Sequence, residues 1–313
     1  MLTDRDRWTR RILELDPVAD HHEIYRISAG YEFPWDYRRA LEFALFRTYC
    51  VPTISALLAA TGEFRDRPQK RYDDTALLMG ELTAVGYDSA RGRDALRVIN
   101  QMHGRYAIDN DDMRYVLCTF IYDPIDWINA HGWRRLTDHE AIAAFHFYRE
   151  VGIRMGIRDI PTDFDELRAF KREYEKTNFR FAESNRRIGT YTMEMLAGWF
   201  PAPLRPLVRA GVRSMLDETM LNAFGFRPAP AWMSRAATGS LRARSAVVRR
   251  LPARRRIKFA WDPRTRTYPG YPEGYQPRDL GAPPPPDTLD EKWKKRTHAA
   301  HHDPGRTPSD PDR

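Results

Sequence analysis

RVINQMHGRYAIDNDDMRYVL, residues 97–117, holds a helix end, a turn and a helix start in one short run. Leu96, Ile99 and His103 recur at three and four residues, which puts them on one helical face, and that face is apolar. Gly104 either ends the helix or lets a large group approach the backbone. Asn110, Asp111 and Asp112 then offer caps for the next helix. The same period extends outward through Ile12, Leu13 and Leu15, through Leu41, Ala44, Leu45 and Tyr49, and through Leu77, Leu78, Leu82 and Val85. Pro34, Pro52, Pro68, Pro124, Pro161 and Pro201 punctuate it. Thr137-Asp-His-Glu140 is a capping box and Thr162-Asp-Phe-Asp165 a close relative. No period-two run or hairpin dipeptide competes. The pattern predicts an all-α body over residues 1–226, with about nine or ten helices of ordinary length.

The 313 residues suffice for a substantial core. Cys50 and Cys118 are too few for a disulfide framework or an all-cysteine metal site. No run reaches the roughly 18 apolar residues of a membrane span. The first residues, charged from the fourth onward, lack the apolar core of a signal peptide. The expectation is a reducing, cytoplasmic setting. The formal charge of +8 is regional: residues 219–261 hold ten basic residues and no acid, so the rest of the chain is slightly acidic. This distribution does not point to a body that binds nucleic acid. Residues 227–261 read as a basic helical extension. Residues 262–313 hold eleven of the 23 prolines and balanced charge, the composition of a disordered tail. Its WKKR and HAAHH pieces read as solvated, and Tyr268, Tyr271 and Tyr275 are its means of docking on the body.

No Gly-rich phosphate loop, GxSxG elbow, HExxH or CxxC occurs. His21 and His22 lie among polar neighbours and read as surface residues. His139 and His146 are too far apart to share one metal on a helical face, and Glu140 already serves the capping box. His131, beside Gly132, suits a helix C-terminus as an imidazolium. His103 is different because its imidazole points inward: a hydrogen-bonded core residue or a ligand. With Asn110, Asp111 and Asp112 it offers a non-haem metal set, although capping explains the three more economically. Arg71 and Thr75, four apart, share a face if their segment is helical; Asp73 or Asp74 as N-cap would instead leave Arg71 on a loop.

Taken in order, RYDDT (71–75) and NQMHGRY (100–106) resemble the MpaB-like oxygenases, a family that includes rubber oxygenase. FPWDYRRALEFALFRTY (33–49), NDDMRYVLCTF (110–120) and GIRMGIRDIP (152–161) are similar to further segments of it, and the likeness spans residues 20–225. The resemblance implies a globin-reminiscent helical fold that holds haem b. His103 matches the proximal iron ligand, and Arg71 and Thr75 match the distal pair. Where rubber oxygenase has a lysine just before that threonine, this chain has Asp74. Its catalytic glutamate has no clear counterpart, with Glu42 and Glu63 as candidates.

The expected activity is therefore a haem-dependent oxygenase acting with O₂ on an apolar prenyl, terpenoid or lipid-like substrate, including cleavage of a carbon–carbon double bond. A haem sensor or carrier without turnover is the second reading. A helical scaffold docking on anionic membrane through residues 240–260 is the third. There Arg242, Arg249 and Arg256 recur at seven beside Val247, Val248 and Leu251, against the plainer reading of a solvated helix on the body's edge.

Overall fold

The computed structural model describes residues 4–259, 268–284, 289 and 291–294. Among these are fourteen α-helices and no strand; one isolated bridge joins Tyr106 to Lys294. The first half comprises α1 (Arg7–Leu13), α2 (His21–Ile27), a π-helical turn (Ser28–Glu32), α3 (Pro34–Thr48), α4 (Pro52–Thr61), α5 (Glu63–Asp66), α6 (Pro68–Val85) and α7 (Ala90–His103). Then come α8 (Asn110–His131), α9 (Asp138–Arg154), α10 (Phe164–Asn178), α11 (Glu183–Gly198), α12 (Arg205–Ser214), α13 (Glu218–Phe224) and α14 (Ala231–Arg250).

The all-α expectation holds, but nine or ten helices was too few. α1, α2, α5 and α13 have only four to seven residues, too short to show a period. Pro34, Pro52 and Pro68 open helices at the first turn, where the missing N–H costs nothing. Pro124 does not punctuate: α8 runs through it. Buried residues on both sides, from Tyr115 to Ile128, hold that helix together across the lost hydrogen bond. Thr137 and Glu140 form the reciprocal capping box read from the sequence. Two other caps fall one residue away from their expected places. Asp109, not the following three residues, caps α8, and Asp163, not Thr162, caps α10.

The interior has two main apolar cores. Tyr25, Phe33, Tyr37, Leu82, Ile121, Tyr122, Phe147 and Tyr148 belong to the larger, built from α2, α3 and α6–α9. Phe46, Tyr49, Phe64, Ile188, Leu196 and Phe224 belong to the smaller, built around the end of α3, α11 and α13. α3 packs along α8 and α2 along α9, so the long helices that span the larger core fix the walls of the space between the two. Cys50 and Cys118 are buried and unpaired. Among the described residues no single helix is long and apolar enough to cross a membrane; α3 and α4 pass that test only as a pair bent by 97°.

The basic extension is part of the packed body. Met233 is buried, Arg244 forks onto the buried Asp36 at 3.0 and 3.1 Å, and Ser245 Oγ donates to the Gly132 carbonyl. Beyond α14, the Lys258 N–H donates to Gly30 O, and a Cβ on Gly30 would come within 2.4 Å of Ile257. Glycine at position 30 thus lets this extended segment pass closely over the π-helical turn.

The expectation of disorder for the tail fails over residues 268–284. Tyr268 and Leu280 are buried, Tyr271 Oη donates to Asp74, and Tyr275 Oη donates to Glu81 at 2.8 Å. The tyrosines do dock: Tyr268 is buried, and Tyr271 and Tyr275 each bring an apolar ring and a hydroxyl that finds a carboxylate on α6. Trp293 and Lys294 of the WKKR piece are described; Lys295, Arg296 and all of HAAHH lie outside the described residues.

Candidate functional site

A cavity of about 350 Å³ lies between the two cores. Its wall is mostly apolar, contributed by α3, α4, α6, α7, α8, α9 and α11 and closed at one side by Ala282 and Trp293 of the tail. Leu57, Met79, Ile99, Met113, Phe120 and Met155 are typical of it. A few polar side chains converge there, the arrangement expected of a small-molecule site.

Arg71, Thr75 and His103 all line this one cavity. α6 begins at Pro68, so Arg71 is helical and lies one turn before Thr75. The guanidinium donates to Thr75 Oγ1, whose hydroxyl in turn donates to the Arg71 carbonyl at 3.1 Å. His103 is the last residue of α7, and its Nδ1 is buried with no hydrogen-bond partner. Burial, reinforced by the nearby Arg71 charge, lowers the imidazole to about 4. At neutral pH His103 is thus an uncharged imidazole on the cavity wall, the state required of a metal ligand.

The family model for the ER-bound oxygenase mpaB/B′ and rubber oxygenase catalytic domain matches residues 40–250, about two thirds of the chain. The chain belongs to this oxygenase family. It is 31% identical over 220 residues to the ER-bound oxygenase mpaB of Penicillium roqueforti, a match that covers 64% of this chain and 74% of that protein. It is 30% identical over 229 residues to the ER-bound oxygenase mpaB′ of Penicillium brevicompactum, covering 67% of this chain and 54% of the relative. A second protein from Penicillium brevicompactum, an ER-bound oxygenase mpaB, is 37% identical over 141 residues and is matched over 36% of its length.

Within this mpaB-type oxygenase Asp74 and the two candidate glutamates, Glu42 and Glu63, are held by neighbouring side chains. Asp74 does not line the cavity; it binds Lys70 at 2.7 Å and accepts from Tyr271 Oη and the Gly281 N–H, so it anchors the tail. Glu42 lines the cavity but accepts hydrogen bonds from Arg38, Arg39 and Tyr72. Glu63 lines it as well and pairs with Arg67.

Sequence reasoning missed Asp112 as a wall residue, assigning it to capping. It is buried, lines the cavity and accepts a hydrogen bond from Tyr174 Oη. Burial raises its carboxyl above the usual range, against the hydroxyls of Tyr174 and Thr53. Its place three residues after Asp109 on the inward face of α8 was the available signal.

The other histidines stay apart. His21 and His22 are half-buried rather than surface residues: His21 Nε2 meets Tyr87 Oη and His22 Nε2 meets Thr83 O at 3.0 Å. His131 ends α8 as expected, yet burial and Arg242 lower its pKa, which disfavours the imidazolium read from the helix dipole. Among the described residues no group of three or more His, Cys, Asp or Glu is placed to hold a metal ion, so the His103–Asn110–Asp111–Asp112 set does not form. Asn110 instead brackets the Arg158 backbone and Asp111 pairs with Arg114.

Proposed function

We propose that this mpaB-family oxygenase works on an apolar substrate of prenyl, terpenoid or lipid type, with haem b held through His103. The reading rests chiefly on one observation: a neutral imidazole with an unpartnered buried nitrogen stands on the wall of an apolar cavity that also holds one arginine. Haem would fit this donor set, because His103 alone would hold its iron and no cluster of carboxylates would be needed. Bound haem would supply the dioxygen chemistry, including cleavage of a carbon–carbon double bond.

The chain's own groups have separable tasks. Arg71 presents a permanent charge to an anionic group within the cavity, such as a propionate. Thr75 offers a hydroxyl, oriented by Arg71, that can position a water. Asp112, whose carboxyl burial shifts upward, stands on the cavity wall as a group able to exchange a proton. The aliphatic and methionine wall selects an apolar substrate and excludes bulk water. A peripheral position on anionic membrane, through residues 240–260, accompanies this reading. Exposed Val247 and Leu251 beside basic residues, and relatives named as ER-bound, support it.

The test is an absorption spectrum with pyridine haemochrome quantification on protein expressed with added haem precursor. A Soret band that His103→Ala abolishes is expected, together with oxygen uptake on a panel of alkenes with reductant. A protein that refuses haem overturns the reading. Haem binding without oxygen uptake on any alkene would reduce it to a sensor or carrier.

A further inference from the structure

A second concavity, of about 470 Å³, opens between the end of α8, the loop that follows it and α14. Its charged lining is entirely basic: Arg134, Arg135, Arg242, Arg249 and Arg250, with His131 and no carboxylate. Arg134 is already committed to Glu140 and Glu32. The other four arginines make no ion pair with any described residue. Arg249 Nε donates to Trp133 O at 3.0 Å and Arg250 Nη1 to Ala246 O at 3.2 Å, bonds that orient the guanidiniums without neutralising them. Arg135 and Arg242 are exposed.

All four are exposed and share one crevice without a carboxylate, whereas the fold surrounds Arg47 with three. At the adjacent end of α8, Ile128 O takes the Gly132 N–H, and Gly132 O takes Ser245 Oγ. His131 Nδ1 is buried there without a partner. Planar guanidiniums on two walls match the geometry of phosphate oxygens, which accept paired N–H donors.

We propose that this crevice binds a phosphate-bearing anion, a phosphomonoester or diphosphate group, carried either by a soluble molecule or by a lipid headgroup. It is separate from the cavity around His103, shares no lining residue with it and requires no haem.

Calorimetric titration of the full chain with inorganic pyrophosphate at low salt tests it, alongside co-sedimentation with phosphatidylcholine vesicles with and without phosphatidic acid. Arg242→Gln and Arg135→Gln remove exposed side chains with no ion-pair partner, so both variants keep the fold. Pyrophosphate binding weakened about ten-fold or more in each is expected, while Arg65→Gln, distant in sequence and outside the crevice, leaves it unchanged. Sedimentation with phosphatidic acid vesicles that pyrophosphate competes away assigns the anion to a lipid headgroup; pyrophosphate binding without sedimentation assigns it to a soluble molecule. No binding of either probe by the wild-type chain, or binding by both crevice variants as tight as the wild type's, overturns the site.

Discussion

Two polar regions lie inside the helical body and are built in opposite ways. Around Arg47, charges are matched: its guanidinium faces Asp123, Glu175 and Asp217, and Lys171 bridges Asp123 and Glu175 at 2.9 and 2.7 Å. Around His103, polar groups border open space: the imidazole Nδ1 has no partner, and Arg71 is hydrogen-bonded to the neutral Thr75. The first arrangement ties α3, α8, α10 and the start of α13 together. The second leaves bonding capacity unspent, and unspent capacity in an apolar cavity is what a ligand can use.

The comparison breaks most severely at Arg47. Arg47→Met should cost about 3–5 kcal/mol in urea denaturation, because three carboxylates lose their shared counter-charge. A loss under about 1 kcal/mol would put that cluster with exposed ion pairs instead. His103→Ala should do the reverse, leaving unfolding of the haem-free chain little changed while weakening haem binding at least about 100-fold in a spectroscopic titration, a larger effect than loss of an outer-shell partner.

Acid titration sharpens the contrast further. The His103 imidazole falls from its ordinary 6.5 to about 4 on folding, so the unfolded chain binds more protons between those values. Its contribution is present above about pH 6.5 and is lost as pH falls towards 4. Glu32, in the π-helical turn, is raised by burial from 4.5 to about 7 although Arg134 lies 3.5 Å away. There the folded chain binds more protons, so stability declines as pH rises from 4.5 to 7. Stability measured across this range should tilt downward with rising pH in His103→Met and upward in Glu32→Gln, each relative to the wild-type profile. The smallest effect is expected at the tail: Tyr271→Phe removes one hydroxyl from Asp74 and should cost about 1 kcal/mol or less, seen first as faster amide exchange at the Gly281 N–H.

Much of the cavity's inner wall was legible because it lies on helices with a clear period. His103 follows Leu96 and Ile99 on one face, so local geometry places it; Arg71 and Thr75 stood out through the family likeness, and the start of α6 at Pro68 decided that they share a helix. Asp112 and Asp74 were read less well. Both sit among acidic and amide neighbours whose local preference is capping or solvent, and only the packing partner tells them apart. Asp112 meets Tyr174 from α10, sixty-two residues away, and Asp74 meets Tyr271 from the tail.

The amino-acid sequence by itself determined the all-α class and its longer helices, the reciprocal cap at Thr137 and Glu140, the inward aim of His103 and the family, since these depend on periods and motifs within a few turns. Tertiary structure alone decided that the two cores leave a cavity between them, that residues 268–284 close over α6, and that arginines from α14 meet those of the α8–α9 loop with no acid among them. The reason is physical: a helix period specifies which face of a segment avoids water, whereas the pairing or isolation of a charge depends on which distant segment comes to lie against it.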